Sequence, residues 1–326
     1  MIILSKTILL TNHYPKAPYD IVRSVVPEGF NLLMLPENSQ EALEIAVKDA
    51  DYILASGRMK ITKEVLNNAN KVKMVQRTGV GLDALDLNEL EKRNIPLYVN
   101  QGVNAQSVAE HTILLILASL RKLPIMHRNT ANGIWKKQEQ GVQTYELAGK
   151  TVGLIGMGNI AKTVAKMLGP FGAEILYYDA FRKDEQTEKD LGIIYCSIKE
   201  LLSKADIISL HCPLTEDTRM LVNQETIALM KDGAILINTA RGGLVDTKAV
   251  VEALKSGKLS FAGMDVHEEE PLKDGEGIRE LSNVILTPHI GGVTYDSFYR
   301  MMHDAMRNIE KFEKGELDEI VQYLYK

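Results

Sequence analysis

Cysteine is scarce: Cys196 and Cys212 are the only two in 326 residues. One pair cannot frame a disulfide scaffold of this size, and the scarcity suits a reducing cytosol. Neither cysteine sits in a Cys-x-x-Cys or a Cys/His cluster, so no metal site is expected. Basic charge is also in deficit, with 38 Lys and Arg against 43 Asp and Glu and a formal net charge of −5. Nucleic acid is therefore not the expected partner, because phosphate binding wants a clustered basic face. The short runs Arg121-Lys122 and Lys136-Lys137 stand among carboxylates and read as solvated surface. Long apolar runs are missing too. Met1–Leu10 is apolar but brief, without a basic stretch before it or a small-residue cleavage site, and reads as a first strand rather than a leader. Thr112–Leu120 is far short of a bilayer span. A cytoplasmic protein with no membrane partner is expected.

What is present is an alternation of short β-type runs with amphipathic helical patterns, the signature of an α/β fold with parallel sheets. In the first hundred residues, strands are predicted at Thr7–Thr11, Asn31–Leu35, Tyr52–Ala55, Met74–Arg77 and Leu97–Val99. Helical patterns fall between them, as in a flavodoxin-like layer. A long helix then runs from Ser107 to Arg121, where Ser107-Val-Ala-Glu110 fits a capping box. Its apolarity on nearly every face predicts burial. The sole tryptophan, Trp135, is expected in packing, and a polar Gln-rich loop follows it.

A second series begins at Thr151, with six strands predicted at Thr151–Ile155, Glu174–Tyr178, Ile207–His211, Ala234–Asn238, Phe261–Val266 and Val284–Thr287. That count matches a Rossmann doubly wound parallel sheet. The terminal helix, Tyr295–Glu313, is placed to return to the first layer. Two domains are expected: 1–105 with 294–326 for substrate, and 106–293 for a nucleotide.

Gly156-Met-Gly158-Asn159-Ile160-Ala161 follows an apolar strand and opens a helical pattern at Ile160, Val164 and Leu168. Gly156 permits the tight turn, Gly158 lets backbone approach a pyrophosphate, and Ala161 lets helix pack on strand. Free amides and the helix dipole favour a bound anion there. Asp179, twenty-three residues after Gly156, is positioned to accept from adenine ribose hydroxyls and to repel a 2′-phosphate. NAD is thus expected over NADP, a preference that Arg182 and Lys183 weaken.

Three stretches downstream carry the chemistry: Asn238-Thr239-Ala240-Arg241-Gly-Gly, Glu269-Glu270-Pro271, and Thr287-Pro-His289-Ile-Gly291-Gly. Each follows a predicted strand, where open α/β sheets bind ligands. Taken singly, Arg241 could be a turn residue, Glu270 a solvated acid and His289 a structural imidazole. Together with Arg77-Thr-Gly-Val80-Gly81, the glycine fingerprint, Asp179 and Asp265-Val266, they resemble the D-isomer-specific 2-hydroxyacid dehydrogenase family, of the phosphoglycerate dehydrogenase-like kind. The resemblance runs over nearly the whole chain.

That resemblance implies Arg241, Glu270 and His289 as the catalytic trio and Asp265 as partner of the nicotinamide carboxamide. Val80, Cys212, Pro213, Thr239, Ala240 and Gly291 join the fingerprint residues as coenzyme contacts, and a two-fold homodimer is implied. His289 would be the proton donor to the carbonyl oxygen of a 2-oxo acid and the acceptor in reverse. Glu270 would orient the ring and favour its charged form, and Arg241 would bind carboxylate and carbonyl with its planar fork. Arg77, Val80 and Gly81 would take the rest of the carboxylate.

Phosphoglycerate-type relatives carry a further arginine just after the third strand, where this chain reads Leu54-Ala-Ser-Gly57-Arg58 with the arginine displaced. That argues against a phosphate-bearing substrate. Glutamate at 270 separates the chain from formate dehydrogenases, which carry glutamine there. Two alternatives remain: an NAD-sensing interaction protein of corepressor type, and a phosphite-type dehydrogenase. The absence of a long disordered tail argues against the first.

Overall fold

The computed structural model describes residues 5–56, 59–79, 81–273 and 277–323. The chain divides into two compact units, one made of Met1–Asn104 and Tyr295–Lys326, the other of Ala105–Thr294. No helix among the described residues is long and apolar enough to cross a membrane.

The first unit opens with β1 (Lys6–Leu10), α1 (Lys16–Ser24), β2 (Phe30–Met34), α2 (Gln40–Ala46), β3 (Tyr52–Ala55), α3 (Lys63–Asn68), β4 (Met74–Arg77), α4 (Leu87–Lys92) and β5 (Leu97–Val99). These strands lie parallel in the order β2-β1-β3-β4-β5, the flavodoxin-like winding. Side chains alternate between the two faces of the pleat. Leu9, Ile53, Val75 and Leu97 enter one core layer; Ile8, Leu10, Tyr52, Leu54 and Met74 enter the other. The helix starts are set locally. Ser39, Thr62 and Asp86 each accept a hydrogen bond from a first-turn amide of α2, α3 and α4.

The second unit begins with α5 (Ala105–Leu120), α6 (Leu123–Ala131) and α7 (Lys137–Gly141). It continues through β6 (Thr151–Ile155), α8 (Asn159–Leu168), β7 (Glu174–Tyr178), α9 (Glu185–Leu191), β8 (Ile193–Tyr195), α10 (Ile198–Lys204), β9 (Ile207–Leu210) and α11 (Gln224–Leu229). Next come β10 (Ala234–Asn238), α12 (Thr247–Ser256), β11 (Leu259–Met264) and β12 (Val284–Leu286). Seven parallel strands run β12-β11-β10-β9-β6-β7-β8. The order reverses between β6 and β9, and such switch points are where doubly wound sheets hold ligands beyond the strand carboxyl ends. One face is covered by α5 and α8 through Ile113, Ile116, Val164 and Leu168, the other by α10 and α12 through Leu201, Val250 and Leu254.

The chain then returns to the first unit. α13 (Tyr295–Lys314) buries Phe298, Met302, Ala305, Met306 and Ile309 on the layer formed by Ile8, Leu10, Tyr52 and Leu54. Its end is tied down by Glu313, which accepts from the Lys6 ammonium and the Tyr52 hydroxyl. Asn100 donates its side-chain amide to the Met301 carbonyl at 2.9 Å. β13 (Gln322–Tyr323) adds an antiparallel edge beside β5.

Four expectations need correction. The second sheet has a seventh strand, β8, whose three residues are too few to show a pattern. The Gln-rich stretch after Trp135 is not a plain loop but contains α7. Ser107 does not cap α5: the helix already starts at Ala105, and the Ser107 hydroxyl donates instead to the Gly291 carbonyl at 2.7 Å, while Glu110 accepts from Gln106. Trp135 is not in a core, being 80% exposed within this chain.

Candidate active site

The glycine turn after β6 is shaped by contact as well as by conformation. Gly156 adopts φ +94, and a side chain there would meet the Cys212 amide nitrogen at 2.6 Å and the His211 carbonyl carbon at 2.7 Å. Gly158 caps α8 with open space where a side chain would lie, leaving room for a phosphate group against the helix amides. Ala161 is fully buried under that helix, Ile160 is half-buried beside it, and Asn159 begins it. These features fit a dinucleotide pyrophosphate.

Asp179 stands just past β7. Its carboxylate accepts from the Met157 amide at 2.6 Å and the Phe181 amide at 2.9 Å, so it is held at the lip of the glycine turn. On the far side of the switch point, burial pushes the Cys212 thiol up to about 11 and the neighbouring His211 imidazole down to about 4. Both groups are therefore uncharged at neutral pH, which keeps this wall of the site free of fixed charge. Pro213 follows, its carbonyl accepting from Thr218.

The catalytic candidates gather at the carboxyl ends of β10, β11 and β12. His289 Nδ1 lies 2.9 Å from Glu270 Oε2, and Glu270 Oε1 accepts from the His267 amide at 3.0 Å. Glu270 is thus fixed through both oxygens, and its contact takes up Nδ1 of His289 rather than Nε2. The ring is 40% exposed and Glu270 16%. Arg241 reaches the same neighbourhood through its backbone. A side chain on Gly242 would come within 2.0 Å of the His267 carbonyl, so only glycine lets the two loops touch. Arg241 is further held where Asn238 donates to its carbonyl at 2.9 Å and its own guanidinium donates to Ala240 at 2.7 Å. Thr239 is buried and shares a hydroxyl hydrogen bond with Thr112 of α5 at 2.9 Å. Ala240 donates its amide to Asn238.

His289 has a left-handed backbone, φ +58, unusual for a residue with a side chain. The strain is held by Asp265, just past β11. Its carbonyl accepts from the His289 amide at 2.7 Å. Its carboxylate accepts from Thr287 Oγ1 at 2.6 Å, Gly291 N at 2.8 Å and Ile290 N at 2.9 Å. Burial of Asp265, at 1% exposure, opposes ionisation; the nearby His111 imidazole and hydrogen bonds from Thr287, Gly291 and Ile290 overcome it and hold the carboxyl well below the usual range. Because the Thr287 hydroxyl donates to Asp265, it accepts from His111 Nε2 at 3.0 Å, which fixes that ring nitrogen as the protonated one. Composition and spacing could not reveal this brace, since its members lie on α5, β11 and the 287–291 loop. The one hint was the glycine at 291, where a side chain would crowd Asp265 at 2.9 Å and His111 at 3.4 Å.

In the first unit, Arg77 donates to the Gly81 carbonyl at 2.8 Å and the Ala55 carbonyl at 2.9 Å. Val80 and the Gly57-Arg58 pair lie outside the described residues. No group of three or more His, Cys, Asp or Glu able to hold a metal occurs among the described residues.

Residues 113–291 match the D-isomer specific 2-hydroxyacid dehydrogenase NAD binding domain. A glyoxylate reductase of Thermococcus litoralis is 39% identical over 276 residues, 83% of each chain. A hydroxypyruvate reductase of Thermotoga maritima is 37% identical over 87% of this chain and 94% of its own. Among solved structures, a D-lactate dehydrogenase of Aquifex aeolicus, complexed with NAD and lactic acid, superposes with a TM-score of 0.83 at 31% identity, covering 96% of this chain and 97% of that one. The switch-point glycine turn, the acid after β7 and these likenesses agree: the chain is an NAD-dependent oxidoreductase belonging to the D-isomer-specific 2-hydroxyacid dehydrogenase family.

Proposed function

We propose that the protein reduces a short 2-oxo acid, of the glyoxylate or hydroxypyruvate class, to its 2-hydroxy acid. NADH supplies the hydride that adds to the carbonyl carbon. His289 supplies the proton: its Nε2 donates to the carbonyl oxygen as charge builds there, and in reverse it takes the hydroxyl proton. Glu270 holds the ring through Nδ1 and offsets the positive charge it carries before donation. Arg241 offers a permanently charged planar fork for carboxylate and carbonyl. Asp179 takes the adenine ribose hydroxyls, and the amides opening α8 take the pyrophosphate. Arg77 and Gly81 are assigned to the substrate carboxylate, Arg77 chiefly by shaping the Gly81 turn. The nicotinamide contact assigned to Asp265 is made by a carboxylate that already accepts three short hydrogen bonds.

The observation that carries this reading is the 2.9 Å His289–Glu270 pair, set one loop from Arg241 and beyond the nucleotide turn. NADH oxidation against a panel of 2-oxo acids tests it. His289→Ala should lose about 10²–10⁴-fold in kcat while NADH still binds, as read by its fluorescence. Turnover at the wild-type rate in that variant would refute the acid role.

We propose a homodimer as well. The surface from α5 to the start of β6 exposes Leu114, Leu123, Ile134, Trp135, Val142 and Tyr145. A run of large apolar side chains of this kind marks an interaction surface.

A further inference from the structure

The loop from β7 to α9 holds two cations beside the acid that selects the coenzyme, and each is occupied by a carboxylate. Lys183 Nζ lies 3.6 Å from Asp179 Oδ1. Arg182 is clamped by Glu188 of α9 in a two-pronged pair, Nε to Oε1 and Nη2 to Oε2, both at 2.9 Å. The guanidinium also sits over the Tyr195 ring at 5.3 Å. Glu188 is fixed from below, because the Tyr177 hydroxyl donates to it at 2.6 Å and itself accepts from the Lys183 amide at 2.9 Å. The chemistry follows the geometry. Hydrogen bonds from Arg182 and then Tyr177 hold the Glu188 carboxyl down at about 2, while burial and then the Glu188 contact push the Tyr177 phenol up to about 12.

We infer that this loop is a masked 2′-phosphate site, in which Asp179 occupies Lys183 and Glu188 occupies Arg182, so that Glu188 is a specificity-determining residue for NAD over NADP. The inference rests on the reading of Asp179 as the ribose ligand. A 2′-phosphate is a compact dianion best held by a guanidinium fork and an ammonium. Both are present within five residues of the ribose acid. Asp179 excludes the dianion directly by repulsion. Glu188 excludes it by keeping the fork engaged elsewhere, on the start of α9. Nearby acids limit what unmasking can give. Asp184 is committed to capping α9 through the Thr187 amide at 2.8 Å, and Glu185 adds negative charge close to Arg182.

The test is calorimetric titration of the full chain with NAD⁺, NADP⁺ and adenosine 2′,5′-bisphosphate, independent of turnover. Asp179→Ser should weaken NAD⁺ and admit the 2′-phosphate ligands. Adding Glu188→Gln, which keeps side-chain length and an acceptor for Tyr177, should tighten the 2′-phosphate ligands about tenfold further. Adding Arg182→Ala to that pair should cancel the second step, and Glu188→Gln alone should keep NAD⁺ affinity within about twofold. The gain should shrink in high salt. If Asp179→Ser weakens NAD⁺ but the double variant binds 2′,5′-bisphosphate no tighter than the single one, the masking role of Glu188 is overturned alone. If Asp179→Ser leaves NAD⁺ affinity unchanged, the ribose reading falls and the inference with it.

Discussion

Replacing Asp265 by asparagine should cost the second unit much of its stability, because the brace around His289 needs an acceptor at every position. The wild-type carboxylate takes three donors at 2.6, 2.8 and 2.9 Å with 1% exposure. An asparagine oxygen can keep Thr287 and Ile290, but its NH₂ then faces the Gly291 N–H, donor against donor. Hydrogen bonds to a buried charge contribute about 1.5–3 kcal/mol each. Losing one such bond and the charge behind the other two gives an expected loss of about 3–5 kcal/mol at pH 7. The pH dependence supplies a second handle. A carboxyl held low in the folded state contributes stability above its unfolded pKa of about 3.9, and that contribution is lost as pH falls toward the folded value. The gap between wild type and Asp265→Asn should therefore be full at pH 7 and narrower by about 1.3 kcal/mol at pH 3. Urea unfolding at both pH values measures it, and hydrogen exchange should show the Ile290 and Gly291 amides losing protection first. Equal midpoints at pH 7, or a gap that does not change with pH, would show that the carboxylate is not what holds the loop.

Three further outcomes follow from the site. Gly242→Ala should destabilise by about 1–3 kcal/mol and lower kcat, because its side chain would meet the His267 carbonyl at 2.0 Å; a thermal scan and steady-state kinetics check both. Glu270→Gln should lower kcat by at least about tenfold with little change in KM for the 2-oxo acid, since the amide can still accept from His267 but carries no charge to balance His289. A kcat equal to wild type would remove Glu270 from the mechanism. Val142→Glu places a charge on an apolar side chain that is 78% exposed, and light scattering should show the dimer dissociating into monomers; an unchanged mass would move the interface elsewhere.

Much of the architecture was legible in the chain because the signals are local. Tyr52–Ala55 and the first four residues of Ala234–Asn238 are buried on both faces and read as unbroken apolar runs. The glycine fingerprint announces its turn because Gly156 and Ala161 answer steric needs within one strand and one helix. What was hidden depends on distant partners. Ser107 has the spacing of a cap, yet its hydroxyl is taken by a carbonyl 184 residues away. β8 owes its pairing to β7, not to its own three residues. Trp135 looks like core to any hydropathy argument but lies on the surface. The clamp of Glu188 on Arg182 was equally invisible, since a helix acid and a loop base six residues apart carry no pattern until the turn between them is built.

The return of α13 to the first unit has a consequence for synthesis. Ribosomes deliver the chain from its amino end, at about 5–20 residues per second. Between Asn104 and Tyr295 lie the 190 residues of the other unit, so for roughly 10–40 s the sheet side bearing Ile8, Leu10 and Leu54 waits without its covering helix. The inserted unit can finish first, while the earlier-made strands stay greasy and open on one side. A nascent chain stalled before residue 295 should therefore be a client for holding chaperones through Ile8, Leu10 and Leu54.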